Sequence, residues 1–302
     1  MKTTPALLAA LVCFASPLHA GTTETAVAPM EPAAPQPIVH FLLQLDFSDH
    51  YITPRGLNVE DDGLIFQPLL LSFWSLYSDK NQFLNDISLT AGVWSSFHTE
   101  ESGADPGNWN EFDPILGLTF GLGEYVKFET NYTAFDSMTD FYPTSHHLEL
   151  KIRFDDSKLM GGDFSINPYV AYWHELEDKA TVAFNPATSE ESFYFTVGVI
   201  PTFKVGSVKL EFPTYINLVG NDFYQQFDGS PGGAGLAVFG TEIKASVPLT
   251  FIPKEYGFWT AYAGVKYYHL ENDGLLDGNQ VLADSSREKD LIQFHGGLSI
   301  FY

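Results

Sequence analysis

From residue 38 to the end of the chain, apolar residues alternate with polar or small ones in segments of ten to fifteen residues, broken by clusters of Gly, Asp, Asn and Pro. In an extended strand successive side chains point to opposite faces, so a period of two sorts them into two sets. Between residues 146 and 155, His146, Leu148, Leu150, Ile152 and Phe154 share one face, while His147, Glu149, Lys151, Arg153 and Asp155 share the other. The split recurs in 126–134, where Val126, Phe128 and Tyr132 oppose Lys127, Glu129, Asn131 and Thr133. It recurs again in 259–268, where Trp259, Ala261 and Val265 oppose Thr260, Tyr262 and Lys266. A soluble sandwich would turn such ionic faces outward to water, and a membrane barrel would turn them inward to a wet lumen.

The arrangement of the segments decides between the two. Twelve are predicted, at about 38–48, 63–78, 85–98, 112–121, 125–135, 145–155, 166–175, 192–204, 208–219, 235–248, 258–270 and 291–302. The number is even, as bacterial single-chain barrels require. Long connections near 49–62, 99–111, 136–144, 176–191, 220–234 and 271–290 alternate with mostly short ones such as 122–124 and 205–207. That alternation predicts an all-β fold: a transmembrane antiparallel β-barrel of about 12 strands, with long extracellular loops, short periplasmic turns and both termini on the turn side. Two features strain the pattern. Pro201 and Pro213 fall inside adjacent strands, where each removes a ladder donor, so a bulge beside their shared turn is expected. Residues 64–77 are apolar on both faces, with Leu69, Leu71 and Phe73 against Leu70, Trp74 and Leu76, which suits a packed or partly plugged lumen.

Counting back from the end, Tyr302, Ile300, Leu298, Phe294 and Ile292 share the lipid-suited face, whereas Phe301, Ser299, His295 and Gln293 face the other way. This resembles the terminal strand of outer-membrane barrels, which ends on an aromatic residue and is read by the barrel insertion machinery. The resemblance makes Phe294, Leu298, Ile300 and Tyr302 the expected insertion signal. At the other end, Met1-Lys2, the apolar run from Ala6 to Val12 and Leu18-His19-Ala20 before Gly21 predict a signal peptide over 1–20. A Pro/Ala-rich stretch, 21–37, reads as a flexible tether, leaving 38–302 for the barrel in the bacterial outer membrane. No later stretch approaches the ~18 uncharged apolar residues of a membrane helix.

Composition narrows the function. Hydrophobic residues make up 45% of the 302 and charged residues only 18%, with 26 Phe, 15 Tyr and 5 Trp, which excludes a disordered chain. A formal charge of -23 repels phosphate, so nucleic acid is not an expected partner. Cys13, the single cysteine, lies in the signal peptide, which leaves no disulfide, thiolate nucleophile or cysteine metal site in the exported chain.

The stretch Ser48-Asp49-His50-Tyr51-Ile52-Thr53-Pro54-Arg55-Gly56, followed by Gln67-Pro68 and then Ala91-Gly92-Val93-Trp94-Ser95-Ser96, resembles the opening of the TorF-type porin family. The resemblance covers the first third of the exported chain. It implies an outer-membrane channel and no particular substrate.

Catalytic and metal-binding patterns are sparse. The sequence has no Gly-rich phosphate loop, no His-Glu-x-x-His and no Gly-x-Ser-x-Gly. His146 and His147 point to opposite sides of their strand and cannot share a ligand, and Ser145 is on the face away from His146. No catalytic residue, metal site or cofactor is therefore expected. The acidic clusters Glu60-Asp61-Asp62, Glu100-Glu101, Glu175-Leu176-Glu177-Asp178 and Glu190-Glu191 lack the spacing of a calcium loop and read as solvated loops. The chemistry-bearing set is the inward one: Lys127 and Glu129, then Glu149, Lys151 and Arg153, then Lys209 and Glu211, then Glu242 and Lys244, and finally Lys266. Charges inside a barrel must be wet or paired, and rings of them set selectivity in pores. The expected function is a porin-like channel for passive diffusion of small hydrophilic solutes or ions, with outer-membrane lipid as its surroundings. The rivals are a non-conducting surface barrel and a lipid-acting barrel enzyme.

Overall fold

The computed structural model describes residues 39–100, 107–177, 179, 191–283 and 287–302; the predicted signal peptide at 1–20 and predicted tether at 21–37 lie outside them. Seventeen strand segments build the wall and a small inner hairpin. They are β1 (Val39–Ser48), β2 (Tyr51–Ile52), β3 (Asn58–Glu60), β4 (Ile65–Ser78), β5 (Leu84–His98) and β6 (Trp109–Leu122). Next come β7 (Val126–Ser137), β8 (Ser145–Phe154), β9 (Phe164–Ser165), β10 (Tyr169–Glu177), β11 (Ser192–Val199) and β12 (Thr202–Val205). The last are β13 (Val208–Glu211), β14 (Thr214–Val219), β15 (Gly235–Pro248), β16 (Phe258–Leu270) and β17 (Asp290–Phe301), with a helix, α1 (Asp273–Leu282), in the final loop.

Each of the pairs β9/β10, β11/β12 and β13/β14 forms one interrupted strand of the wall, so β1 and β4–β17 make twelve strands. Every wall pairing is antiparallel, and β17 returns to β1 in register from Leu42 opposite Phe301 to Ser48 opposite His295. Closure matters because an open edge in hydrocarbon would leave a row of unpaired N–H and C=O groups. Outside, Leu116, Ile152, Ile243, Ile292 and Phe294 are each more than half exposed. An apolar belt on that scale is suited to lipid rather than water.

The prolines do break the ladder, and the breaks lie side by side. Pro168, Pro201 and Pro213 separate the halves of three neighbouring interrupted strands. Backbone groups beside the gaps find other partners: Phe212 N–H donates to Pro201 C=O at 2.8 Å and Glu242 N–H to Pro213 C=O at 2.9 Å. The Asp156 carboxylate accepts from Ile166 N–H at 2.9 Å and Asn167 N–H at 3.0 Å, covering the gap ahead of β10. At the turn between β12 and β13, Gly206 has φ 62°, the left-handed conformation that a two-residue hairpin turn demands.

The largest apolar core lies at the long-loop end. The loop after β1 does not project outward; β2 and β3 pair as a hairpin. Ile52 and Leu57 from this segment pack with Tyr194, Val219, Val238 and Leu270 of the wall and with Leu275, Leu276 and Leu282 of α1. Asn272 caps α1 by accepting from Leu275 N–H at 3.1 Å.

Candidate functional site

The first long loop crosses the mouth of the barrel. Tyr51 stacks 5.5 Å from Trp94 of β5, and its hydroxyl donates to Glu111 of β6 at 2.5 Å. Three residues on, Pro54 C=O accepts from Tyr215 at 3.1 Å and from Asn217 of β14 at 2.9 Å. The chain therefore spans from β5 to the far wall. Asn279 of α1 locks it from above: its Oδ1 accepts from Asn58 N–H and its Nδ2 donates to Gly56 C=O, both at 2.9 Å. Gly56, at φ 86°, has no room for a side chain, since a Cβ there would meet Leu270 at 2.8 Å.

At the centre of this stopper sits Arg55, 6% exposed, with its guanidinium over Phe135 and Trp173. Burial alone would lower its pKa, but Tyr194, Glu175, Tyr51 and Glu111 outweigh burial and raise it, so the group stays charged. Tyr142, in the neighbouring loop, shows the opposite response of an acid: burial pushes its hydroxyl far above the ordinary range, and Glu111 and Asp113 add to the shift.

Below the stopper the ten predicted charges all face inward, in two arcs nearly opposite each other in the strand order. On the first arc Lys127 stands opposite Arg153 and Glu129 opposite Lys151. Arg153 avoids its like-charged neighbour by reaching diagonally to Glu129 at 2.8 Å. Lys151 lies 3.8 Å from Glu149 and 4.8 Å from the centroid of the Tyr169 ring. On the second arc Glu211 takes Lys209 at 2.8 Å on one oxygen and Lys244 at 3.3 Å on the other. Glu242 is opposite Lys266 in register and 3.0 Å from His295 Nε2.

Several interior contacts escaped the sequence reading, which placed His295 on the inward face but gave it no partner. His295 bridges Glu242 to Asp46, 3.2 Å from its Nδ1, and Tyr262 donates to the same aspartate at 2.7 Å. The imidazole fits because Gly264 faces it; a Cβ there would lie 2.5 Å from His295 Nε2. Asp46 sits at an inward position of β1, so the alternation that found Lys266 and His295 could have found it. Lys204, opposite Lys209, is a further inward cation beyond the Pro201 break, where the register could not be read from sequence.

Two acidic clusters differ from expectation. Glu60 and Glu175 are not solvated: they are 1% and 0% exposed. Glu60 accepts from Asp61 and Asp62 N–H at 3.0 and 3.1 Å, and its Oε2 lies 3.8 Å from His98 Nδ1. Sequence alone gives no sign of this, because Glu60 belongs to the short hairpin that folds inward and Glu175 lies on β10 at the long-loop end. Glu101, Asp178 and Glu190 lie outside the described residues. The parity of the histidine pair is as expected, with His147 buried inside and His146 outside, 2.6 Å from the Tyr132 hydroxyl. At the terminus Tyr302 is exposed on the outer face, and Phe301 turns inward to stack 5.5 Å from His40. Among the described residues no group of three His, Cys, Asp or Glu side chains is arranged to hold a metal ion.

No family model matches the sequence, and no curated protein does. Solved structures with a similar barrel include the COG4313 outer membrane channel from Pseudomonas putida F1, at 10% identity and a TM-score of 0.49 over 92% of this chain and 100% of that one. Another is the CymD monoaromatic hydrocarbon channel, at 10% identity and a TM-score of 0.41 over 88% of each chain. A third is the translocator domain of autotransporter NalP from Neisseria meningitidis, at 11% identity and a TM-score of 0.40 over 89% and 90%. At these values the likeness carries no argument about function, substrate or location.

Proposed function

We propose that the chain is a porin-like channel of the bacterial outer membrane, passing small hydrophilic solutes or ions, with the segment 49–64 as its gate. The observation that carries this reading is the wetness of most of the inward cations, Lys127 being buried. Lys151, Arg153, Lys209 and Lys244 point into the barrel yet keep 25%, 32%, 25% and 29% of their side-chain surface exposed. A lumen filled by side chains would cover them. Apart from its two ends, where Asp49 N–H donates to Phe294 C=O and Leu64 C=O accepts from Thr99 N–H, the gate is joined to the wall through side chains and to no wall strand by ladder pairing, so it is the part of the molecule that can leave without opening the barrel.

Planar-bilayer recording tests this. The full chain should show small or rare conductance steps, and replacing residues 51–60 by a short Gly-Ser linker should enlarge the steps several-fold. Absence of conductance from both proteins would overturn the channel reading in favour of a non-conducting surface barrel. Phospholipid turnover by the purified chain would favour a lipid-acting enzyme instead.

A further inference from the structure

One histidine inside the barrel has a carboxylate on each ring nitrogen. His295 of β17 lies 3.2 Å through Nδ1 from Asp46 Oδ1 on β1 and 3.0 Å through Nε2 from Glu242 Oε1 on β15. The titratable groups that face it are these two acids and, from β16, Lys266 and Tyr262, whose ring centroid is 6.0 Å from the imidazole. All three members of the bridge are largely buried against the wall. Ser48, paired opposite His295, immediately precedes the gate, so the bridge sits just below it.

The contacts fix the charge of the ring. A neutral imidazole has one N–H and one bare nitrogen, and a bare nitrogen gains nothing from an ionised oxygen beside it. Asp46 Oδ1 also accepts from the Tyr262 hydroxyl at 2.7 Å, so it acts as an acceptor towards both neighbours. Glu242 stands opposite Lys266 and two residues from Lys244, and nearby cations favour an ionised carboxylate. Both ring nitrogens therefore donate, and His295 is an imidazolium that a count of Lys and Arg misses. Lys266 alone opposes this charge, against two charge-assisted hydrogen bonds. His269 also has both nitrogens on carboxylates, those of Asp290 and Glu271 at 2.7 and 2.8 Å, but it is exposed on the outer face at the loop end and away from the lumen.

We propose that His295 is a selectivity-determining residue of the lumen. As an imidazolium it cancels the charge of one of its two acids. Once alkaline conditions remove its proton, that charge is uncovered and the lumen turns towards cations. This role rests on the channel reading, whereas the charge of the ring does not.

Two measurements on the full chain test it. In detergent micelles, nitrogen NMR of isotope-labelled histidine at about pH 7.5, where an unperturbed imidazole is neutral, should show an inward ring with both nitrogens protonated. His295→Gln should remove that signature, and Glu242→Gln should move it to lower pH. Retention of heat-modifiable gel mobility identifies variants that still fold, and either substitution suffices for the assignment. In planar bilayers near molar salt, the cation-to-anion permeability ratio of His295→Gln should exceed that of the unaltered chain by about twofold at about pH 7.5, and the gap should close by about pH 9.5. A neutral ring at the lower pH, or a conducting protein in which the gap is absent or does not change with pH, would overturn the proposal. Failure of both the full chain and its gate-shortened form to conduct would overturn the channel reading, and the selectivity role with it, whatever charge the ring carries.

Discussion

Adjacent residues at the C-terminus illustrate how much a single parity decides. Tyr302 is outward and exposed, and its backbone closes the barrel by exchanging hydrogen bonds with Phe41 at 2.8 and 2.9 Å. Phe301 faces in, against His40. Serine at either position keeps the backbone bonds, so only the side chain's surroundings differ. Tyr302→Ser removes an aromatic from the lipid-facing set and should lower the assembled protein in the outer membrane several-fold. Phe301→Ser should lower it less than twofold, and quantitation of the heat-modifiable band checks both. Equal loss would contradict the outward assignment of Tyr302. Parity also placed Lys127, Glu149 and Lys266 inside from sequence alone, because alternation is a property of the strand itself. It could not tell that Arg153 reaches Glu129 diagonally or that His295 spans Asp46 and Glu242. Those choices depend on neighbouring strands distant in sequence.

Among the elements, the wall strands were legible and the gate was not. Alternation and turn residues are local signals, and all twelve wall strands carry them. The hairpin of β2 and β3 is too short to show a period, and Thr53, Arg55, Asn58 and Glu60 give it the composition of a surface loop. Its burial arises from partners far along the chain, Asn279 above all, 221 residues from Asn58. Asn279→Ala would leave Asn58 N–H and Gly56 C=O buried without this partner, at a cost of about 1–3 kcal/mol for each group. The wall should be unaffected, since its ladder makes no use of Asn279. Hydrogen exchange should therefore quicken by tenfold or more at amides of the gate while those of β5 and β16 keep their protection. Uniform loss of protection would mean that gate and wall open as one unit.

For the whole molecule, on the proposed channel reading, the separation of charge governs which ions enter. Most of the formal charge of -23 sits in the long loops, whereas below the gate the inward cations Lys127, Lys151, Arg153, Lys204, Lys209, Lys244 and Lys266 roughly balance the inward acids. The burial of Glu60, Glu111 and Glu175 beneath the gate withdraws part of the negative charge from the surface, but Asp62, Asp140, Asp228, Glu271 and Asp273 remain at the loop end. A negative mouth bounded by a low-dielectric wall concentrates cations, and the nearly balanced lumen beneath does little to oppose it. The two contributions differ in reach. The Debye length is about 30 Å at 0.01 M salt and about 3 Å at 1 M, so the mouth's field is screened at high salt while contacts inside the lumen survive. For the gate-shortened protein in planar bilayers, reversal potentials should show cation preference in dilute salt that fades, or turns slightly anionic, near molar salt. Lys151→Gln together with Arg153→Gln should then raise cation preference most at high salt, where the lumen alone is felt. Anion preference in dilute salt would show that permeating ions respond to the lysine arc below the gate and not to the acidic loops above it.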